Sequence, residues 1–275
     1  MKHVILPTDF SNNAWKAMSY AAQLFHNVPC NYILLNTFSV PYSYADVSAM
    51  PNVELLTEDS ESQLQTVLKR FKELDHHDNS TFKTLAKFAS LVDSVRAIET
   101  EHPDDCTIVM GTKGAGGLGE TFLGTMTSHV VNSAKSPVIC VPNEAELSVP
   151  KNLMLAVDSE GVDKMEEIQL LVDIANQHQS AIRLVNVPIS EEEVLSEDSA
   201  EQFVLDNYLG KTPHTYHTLH GNYKEDLLTQ FAERNDVDLI ALIRRDRGFW
   251  KNLFHRSLTK SMSFYSDKPL LILRD

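Results

Sequence analysis

Short apolar runs alternate with amphipathic segments along the first half of the chain. Residues 3–6 form one such run, and apolar residues then recur at helical spacing from Trp15 to Phe25. The same alternation predicts further strands at 32–38, 84–88, 107–110 and 137–141, and further helices through 64–74, 92–98 and 126–131. We expect an acidic, irregular stretch up to about Ser60. Strands that alternate with helices in this way predict right-handed crossovers and a parallel sheet.

The pattern restarts after a polar segment bounded by Pro142 and Pro150. Residues 2–9 match 151–158, Asn36 matches Asn186 with a small shift, and residues 136–139 match 268–271. Each half also carries an acidic insert after its second strand. These matches predict two tandem α/β domains at 1–146 and 150–275. We expect each to be an open, five-stranded, mostly parallel Rossmann-like sheet with helices on both faces.

Composition and charge exclude several classes of protein. A hydrophobic fraction of 43% is typical of a globular chain, and no apolar run approaches the roughly 18 residues that span a bilayer. A net charge of −14 argues against binding to duplex nucleic acid. Asp9 follows the first apolar run too soon for a signal peptide. The three cysteines lack metal-ligand spacing, so we expect reduced, apolar thiols in a cytoplasmic protein.

The ten glycines of the chain are unevenly distributed, because six of them lie between residues 111 and 124. This window leaves an apolar strand and ends at a helix start, where open parallel sheets bind ligands and helix amides bind phosphate. Gly111 and Gly114 would let the backbone pass close to a sugar and phosphates, and Gly124 would let an anion reach the following amides. The window is neither a Walker loop nor a compact Rossmann fingerprint. A flexible surface loop remains the alternative.

The spacing Gly111-x2-Gly114-x9-Gly124-Thr125 resembles the nucleotide-binding signature of the universal stress protein family. Residues 7–11 resemble the first strand-to-helix turn of that family, 34–37 its second strand and 136–138 the entry to its last strand. The resemblance extends over the whole chain as two tandem copies. It implies a five-stranded parallel fold whose last strands pair, so that the two halves would form an intrachain pseudo-dimer. A homodimer of whole chains is a further arrangement that the resemblance allows.

The resemblance also implies an ATP site in the first half, with Mg²⁺ or Mn²⁺ as companion ions of the phosphates. On the adenine and ribose side, it assigns Pro7, Thr8, Asp9 and Thr37. At the ribose, the phosphates and the phosphate tail, it assigns Met110, Gly111, Thr112, Gly114, Gly124, Thr125, Met126 and Thr127. For Asp9, capping of the first helix stays open as an alternative.

The second half departs from the signature at each of its glycines. Aligning Pro269 with Pro137 puts Ile243 over Gly111, and it puts Asp246 and Arg256 over Gly114 and Gly124. Ser257 keeps the role of Thr125, and Asp158 keeps that of Asp9. Side chains would therefore fill space that the first half leaves to backbone. We expect the second half not to bind ATP in the same way.

Two other polar clusters have simpler explanations. The basic and aromatic segment 244–260 is either a partner or anion site, or a solvated patch that pairs with acidic residues, and we favour the patch. His214, His217 and His220 occur at intervals of three in a predicted strand at 215–219. His217 would then point away from the other two, so we favour ordinary surface histidines over a metal site.

Three functional hypotheses follow from the sequence. The first is a cytoplasmic, nucleotide-responsive module that binds ATP in its N-terminal half and an unknown protein partner. The second is a slow ATPase or autophosphorylating enzyme, in which Asp9→Ala would abolish turnover. The third is an interaction scaffold that uses residues 244–260 and leaves the first loop empty. No spacing indicates a dedicated general base, so enzymatic activity is an open question.

Overall fold

The structure is a computed structural model. It describes residues 1–39, 52–74, 76–103, 105–113, 123–157, 162, 164–186, 200–221, 224–244 and 267–274. The chain divides into two compact units, and the main division falls after Asn143. None of the helices in the described ranges is long and apolar enough to cross a membrane.

The first unit is a parallel sheet whose strands are joined by helices. Its elements are β1 (Lys2–Pro7), α1 (Asn12–Phe25), β2 (Cys30–Phe38), α2 (Val53–Phe71), β3 (Thr81–Phe88), α3 (Leu91–Glu101), β4 (Cys106–Gly111), α4 (Thr125–Ser133) and β5 (Val138–Val141). The strand order is β3-β2-β1-β4-β5, with every neighbouring pair parallel. The winding therefore reverses between β1 and β4, and this is where such sheets open a crevice for ligands.

The second unit repeats this topology in its described residues. Its elements are β6 (Asn152–Val157), α5 (Met165–His178), β7 (Ala181–Asn186), α6 (Ala200–Leu209), β8 (His214–Thr218), α7 (Lys224–Arg234), β9 (Leu239–Arg244) and β10 (Leu270–Arg274). Its order is β8-β7-β6-β9-β10, again parallel throughout. The predicted tandem α/β architecture is therefore confirmed. The limits 1–146 and 150–275 and the pairing of the two halves stay predictions.

Helix α1 packs against the middle of its sheet through small residues. Ala14, Ala17, Ala21 and Ala22 are all buried, and they let the helix approach β1 and β4 closely. The helix begins after Ser11, whose hydroxyl accepts a hydrogen bond from the N–H of Ala14 at 3.2 Å. This close contact brings the first turn of α1 to the carboxyl ends of the central strands.

The prediction of an irregular stretch up to about Ser60 is wrong from Val53 onward, because α2 begins there; residues 40–51 lie outside the described residues. Asn52 caps the helix, and its side-chain oxygen accepts from the N–H of Glu54 at 2.9 Å. The residues from 53 to 59 are exposed or half-buried, and the buried stripe begins only at Ser60. A helical segment without a buried face has no apolar period, so the hydrophobic pattern does not reveal it.

The cysteine thiols of the native protein should be unreactive. Cys30, Cys106 and Cys140 are buried and free, and burial raises the pKa of Cys30 to about 11 and those of Cys106 and Cys140 to about 12. Because the thiolate is the reactive form, we expect fewer than about one thiol in ten to react with Ellman's reagent at pH 8 within an hour. All three should react after denaturation in urea. One fast, stoichiometric native thiol would contradict this assignment.

Glu99 is a buried carboxylate on α3 that holds the segment leading into β5. It is 6% exposed, and its Oε1 accepts from the N–H groups of Lys135 and Ser136 at 2.9 and 2.8 Å. Glu99→Ala should lower the free energy of unfolding by about 3 kcal/mol, because two backbone N–H groups lose their buried acceptor. Glu99→Gln keeps one oxygen and should lose less than half as much. Urea titration provides the measurement. The exposed Glu101→Ala is the matched control, and equal losses at both positions would refute the assigned role.

Candidate functional site

The turn that leaves β1 is held by its own side chains. Pro7 and Thr8 are buried and Asp9 is exposed. The Thr8 hydroxyl oxygen accepts from the N–H of Phe10 at 3.0 Å, and Asp9 Oδ1 accepts from the N–H of Ser11 at 3.1 Å. Phe10 adopts a left-handed φ of 65°, a conformation that costs about 1 kcal/mol in a residue other than glycine. The cap of α1 is Ser11, whereas Asp9 closes the turn in front of it.

Asn36 connects this turn to β2 and α2. Its Nδ2 donates to the carbonyl oxygen of Thr8 at 2.7 Å, and its Oδ1 accepts from the Ser60 hydroxyl at 2.7 Å. The N–H of Thr8 also donates to the carbonyl of Leu35 at 2.9 Å. Thr37, the candidate residue beside the base, is half-buried one position further along β2. Buried hydrogen bonds thus set the position of the turn after β1, which is the candidate contact of the adenine base.

Gly111 ends β4 at a point with no room for a side chain. A Cβ atom built there would lie 2.7 Å from Cγ of Asn13 and closer still to its Oδ1. Met110, just before it, is buried, and Thr112, just after it, is 2% exposed. Glycine is required here by packing against Asn13, whatever ligand the loop binds.

Asn13 is the residue of this region that sequence reasoning missed. Its Oδ1 accepts from the N–H of Lys113 at 2.9 Å, and its Nδ2 donates to the carbonyl of Val141 at 3.1 Å. The side chain thereby joins α1, the loop after β4 and the end of β5. One signal was available in the sequence: Asn13 lies one helical turn before Ala17, so a polar amide occupies the apolar face of α1.

The N-terminus of α4 has no side-chain cap. Gly124 is its N-cap residue, with extended φ and ψ of −63° and 163°, and its N–H donates to the carbonyl of Thr112 at 2.6 Å. A Cβ at Gly124 would lie 3.2 Å from the same carbonyl oxygen. The next three N–H groups, of Thr125, Met126 and Thr127, begin the helix and have no intrahelical acceptor. They form a donor set for an anion.

The side chains of this helix turn differ in their roles. Thr125 and Met126 are exposed, so the Thr125 hydroxyl is accessible. Thr127 is 3% exposed and its hydroxyl donates to the carbonyl of Gly111 at 2.9 Å. In the described geometry this hydroxyl ties α4 to β4, and the assignment of Thr127 to the phosphate tail stays a prediction. Only the backbone N–H of Thr127 faces the helix terminus.

These contacts bring the candidate residues together in two groups. Pro7 ends β1 and Thr8 and Asp9 follow it, with Thr37 on the neighbouring β2. Met110 and Gly111 end β4 and Thr112 follows it. The carbonyl of Gly111 accepts from the Thr127 hydroxyl, and the carbonyl of Thr112 accepts from the N–H of Gly124. Gly114 lies outside the described residues. The described part includes the backbone N–H groups of a helix N-terminus, which suit a phosphate-bearing ligand.

The second unit has a side chain where the first has bare backbone. Gly111 pairs with Val141 across β4 and β5, and Ile243 pairs with Leu273 at the corresponding register of β9 and β10. Ile243 is 2% exposed. The alignment of Ile243 with Gly111 thus agrees with strand register. Asp158, Asp246, Arg256 and Ser257 lie outside the described residues, so the different ligand behaviour of this unit stays a prediction.

The histidines of β8 contact different helices, as their spacing predicts. His214 Nε2 lies 2.9 Å from Oδ1 of Asp206 on α6, whereas the ring of His217 packs 4.8 Å from that of Phe231 on α7. Burial, with the nearby charge of Arg183, lowers the pKa of His217. Among the described residues, no group of three His, Cys, Asp or Glu side chains could hold a metal ion. The basic and aromatic segment after Arg244 lies outside the described residues.

Comparison with known proteins agrees with the topology. The profile of the universal stress protein family matches residues 1–142, and the chain belongs to this family. No protein with a curated description matches the sequence.

Solved structures show the same fold over the whole chain. A universal stress protein from Archaeoglobus fulgidus is 16% identical, with a TM-score of 0.70 over 99% of this chain and 96% of its own. A putative universal stress protein from Pseudomonas aeruginosa is 12% identical, with a TM-score of 0.63 over 100% and 93%. The cytoplasmic domain of a prokaryotic cation chloride cotransporter is also 12% identical, with a TM-score of 0.60 over 100% and 95%. Because the fold occurs in such different proteins, function must be argued from the site.

Proposed function

We propose that the first unit binds ATP and that the protein acts as a nucleotide-responsive module in a stress response. One observation carries the proposal: the N-terminus of α4 has no side-chain cap, so the N–H groups of Thr125, Met126 and Thr127 begin the helix without an intrahelical acceptor. The base and ribose would lie beside Pro7, Thr8, Asp9 and Thr37. The phosphates would approach the amides of 125–127, and Gly114 is proposed to flank the ribose and phosphates.

The donor set favours a polyphosphate over a neutral ligand. Three backbone N–H groups at a helix N-terminus carry partial positive charge, which stabilises anions. Mg²⁺ or Mn²⁺ would be held through phosphate oxygens and water, because the exposed Asp9 is the one carboxylate among the candidate residues. We therefore propose a binding module in the cytoplasm rather than an efficient ATPase, with a protein partner whose identity is open.

A ligand series tests this proposal. Nucleotide should first be identified by mass spectrometry in denatured samples of the purified chain, and the nucleotide-free protein should then be titrated with adenosine, AMP, ADP and ATP. We expect the affinity to rise with each added phosphate, because each brings more negative charge to the start of α4. Equal affinity across the series, or no binding of ATP, would refute the proposal.

A further inference from the structure

We propose that Asn13 is the positioning residue of the nucleotide site, because its side-chain amide sets the path of the chain that leaves β4. This inference rests on the ATP site proposed above and adds a residue outside the glycine signature. Asn13 would act through the backbone of Gly111 and Lys113 rather than by touching the nucleotide.

The hydrogen bonds of Asn13 use both ends of its amide. One end accepts from the N–H of Lys113 at 2.9 Å, and the other donates to the carbonyl of Val141 at 3.1 Å. The residue is 7% exposed, so water does not compete freely for these partners. A carboxylate lacks the donor and an alanine lacks both groups. The site therefore needs a neutral amide, which also adds no negative charge beside a phosphate.

The contact with Gly111 fixes the same stretch of chain by shape. A Cβ atom at Gly111 would collide with the Asn13 amide, so the amide at position 13 requires glycine at position 111. The carbonyl of Gly111 accepts from the Thr127 hydroxyl, and the carbonyl of Thr112 accepts from the N–H of Gly124. The path of residues 111–113 is thus held from the α1 side by Asn13 and from the α4 side by Thr127 and Gly124.

Asn13 lies in the first turn of α1, and this turn connects the two groups of candidate residues. The helix starts directly after the turn at Pro7, Thr8 and Asp9, which would lie beside the base and ribose. Its first turn carries Asn13, which holds the loop that would lie beside the phosphates. Asn13 therefore sets the spacing between the two groups of candidate residues, and a shift of that spacing lowers affinity without any lost ligand contact.

A pair of asparagine variants separates positioning from folding. Asn13→Ala should bind ATP at least about tenfold more weakly than wild type when measured well below its melting temperature, because both amide bonds are lost. The exposed neighbour Asn12→Ala is the matched control and should bind within about twofold. If folded Asn13→Ala binds ATP as tightly as wild type, the positioning role is wrong while the ATP site stands. If wild type binds no ATP, both proposals fail.

A second test addresses the contact between Asn13 and Gly111. It measures the melting temperatures of variants without bound nucleotide. Gly111→Ala should lower the melting temperature, and adding Asn13→Ala should recover part of that loss because the colliding amide is gone. The double variant should still bind ATP weakly, since the amide is absent. Purely additive losses of melting temperature would show that the two residues do not touch. Affinity restored to the wild-type level in the double variant would show that the amide is dispensable.

Discussion

Replacing Gly124 with aspartate should reduce the affinity for ATP at least about 100-fold while leaving the protein folded. Asp is a preferred N-cap residue and its charge is favourable at a helix N-terminus, so α4 should keep its stability. The carboxylate would occupy the donor set of Thr125, Met126 and Thr127 and repel the phosphates. At about 4 Å and an effective dielectric constant of about 20, two like charges repel by about 4 kcal/mol. Calorimetric titration gives the affinity, and circular dichroism gives the melting temperature.

Gly124→Asn is the matched control for this prediction. Asparagine has nearly the shape of aspartate and meets the same carbonyl of Thr112, which lies 3.2 Å from the Cβ position. Its loss of ATP affinity should be at least about tenfold smaller, because it lacks the charge. Adenosine, which has no phosphate, should bind all three proteins similarly. If Gly124→Asp binds ATP within threefold of wild type, α4 does not hold the phosphates.

Replacing Gly111 with valine should destabilise the first unit by about 3 kcal/mol and abolish ATP binding. The new Cβ would lie 2.7 Å from Cγ of Asn13, and the branched side chain needs further space in a fully buried position. Relief of the collision requires Asn13 to give up its bonds to Lys113 and Val141, which leaves buried polar groups unpaired. Urea unfolding measures the loss of stability, and an ATP titration of the folded fraction measures the loss of binding.

Gly210→Val is the control that separates the effect of a steric collision from the cost of an unfavourable backbone conformation. Gly210 has a left-handed φ of 57° and no heavy atom within 4 Å of its Cβ position. The substitution there should cost about 1–2 kcal/mol through backbone strain alone and should not change ATP affinity. A smaller loss at Gly111 than at Gly210 would contradict the packing around Asn13.

The alternation of apolar runs and helical periods predicted the first sheet, and the repeat of this pattern in the second half predicted the second. It missed the first two turns of α2, because no residue of this helix is buried before Ser60. The glycine spacing located the loop between β4 and α4, since only bare backbone fits beside Asn13 and Thr112. A polar amide on the apolar face of α1 marked Asn13, but its contacts could not be predicted from the sequence. Asn13 meets the N–H of Lys113 across 100 positions and the carbonyl of Val141 across 128, and no local pattern encodes such contacts.

The roles of side chains were harder to predict from the sequence than those of the backbone, because side-chain roles depend on partners that are distant in the sequence. Thr127 resembles a phosphate ligand in sequence, yet its hydroxyl bonds to Gly111, a partner 16 positions away. The left-handed Phe10 gives no sequence signal, because this conformation is unusual for an aromatic residue and depends on the bonds of Thr8 and Asp9. In each case the tertiary partner decides the role.

The most direct test of the central claim is the stoichiometry of ATP binding to the intact chain. Isothermal titration of nucleotide-free protein should give one ATP per chain, bound in the first unit, where Gly111 and Gly124 leave the backbone bare, whereas the second unit has Ile243 at the position of Gly111. Binding should disappear in Gly124→Asp. Two equal sites per chain, or one site that Gly124→Asp leaves intact, would contradict the account.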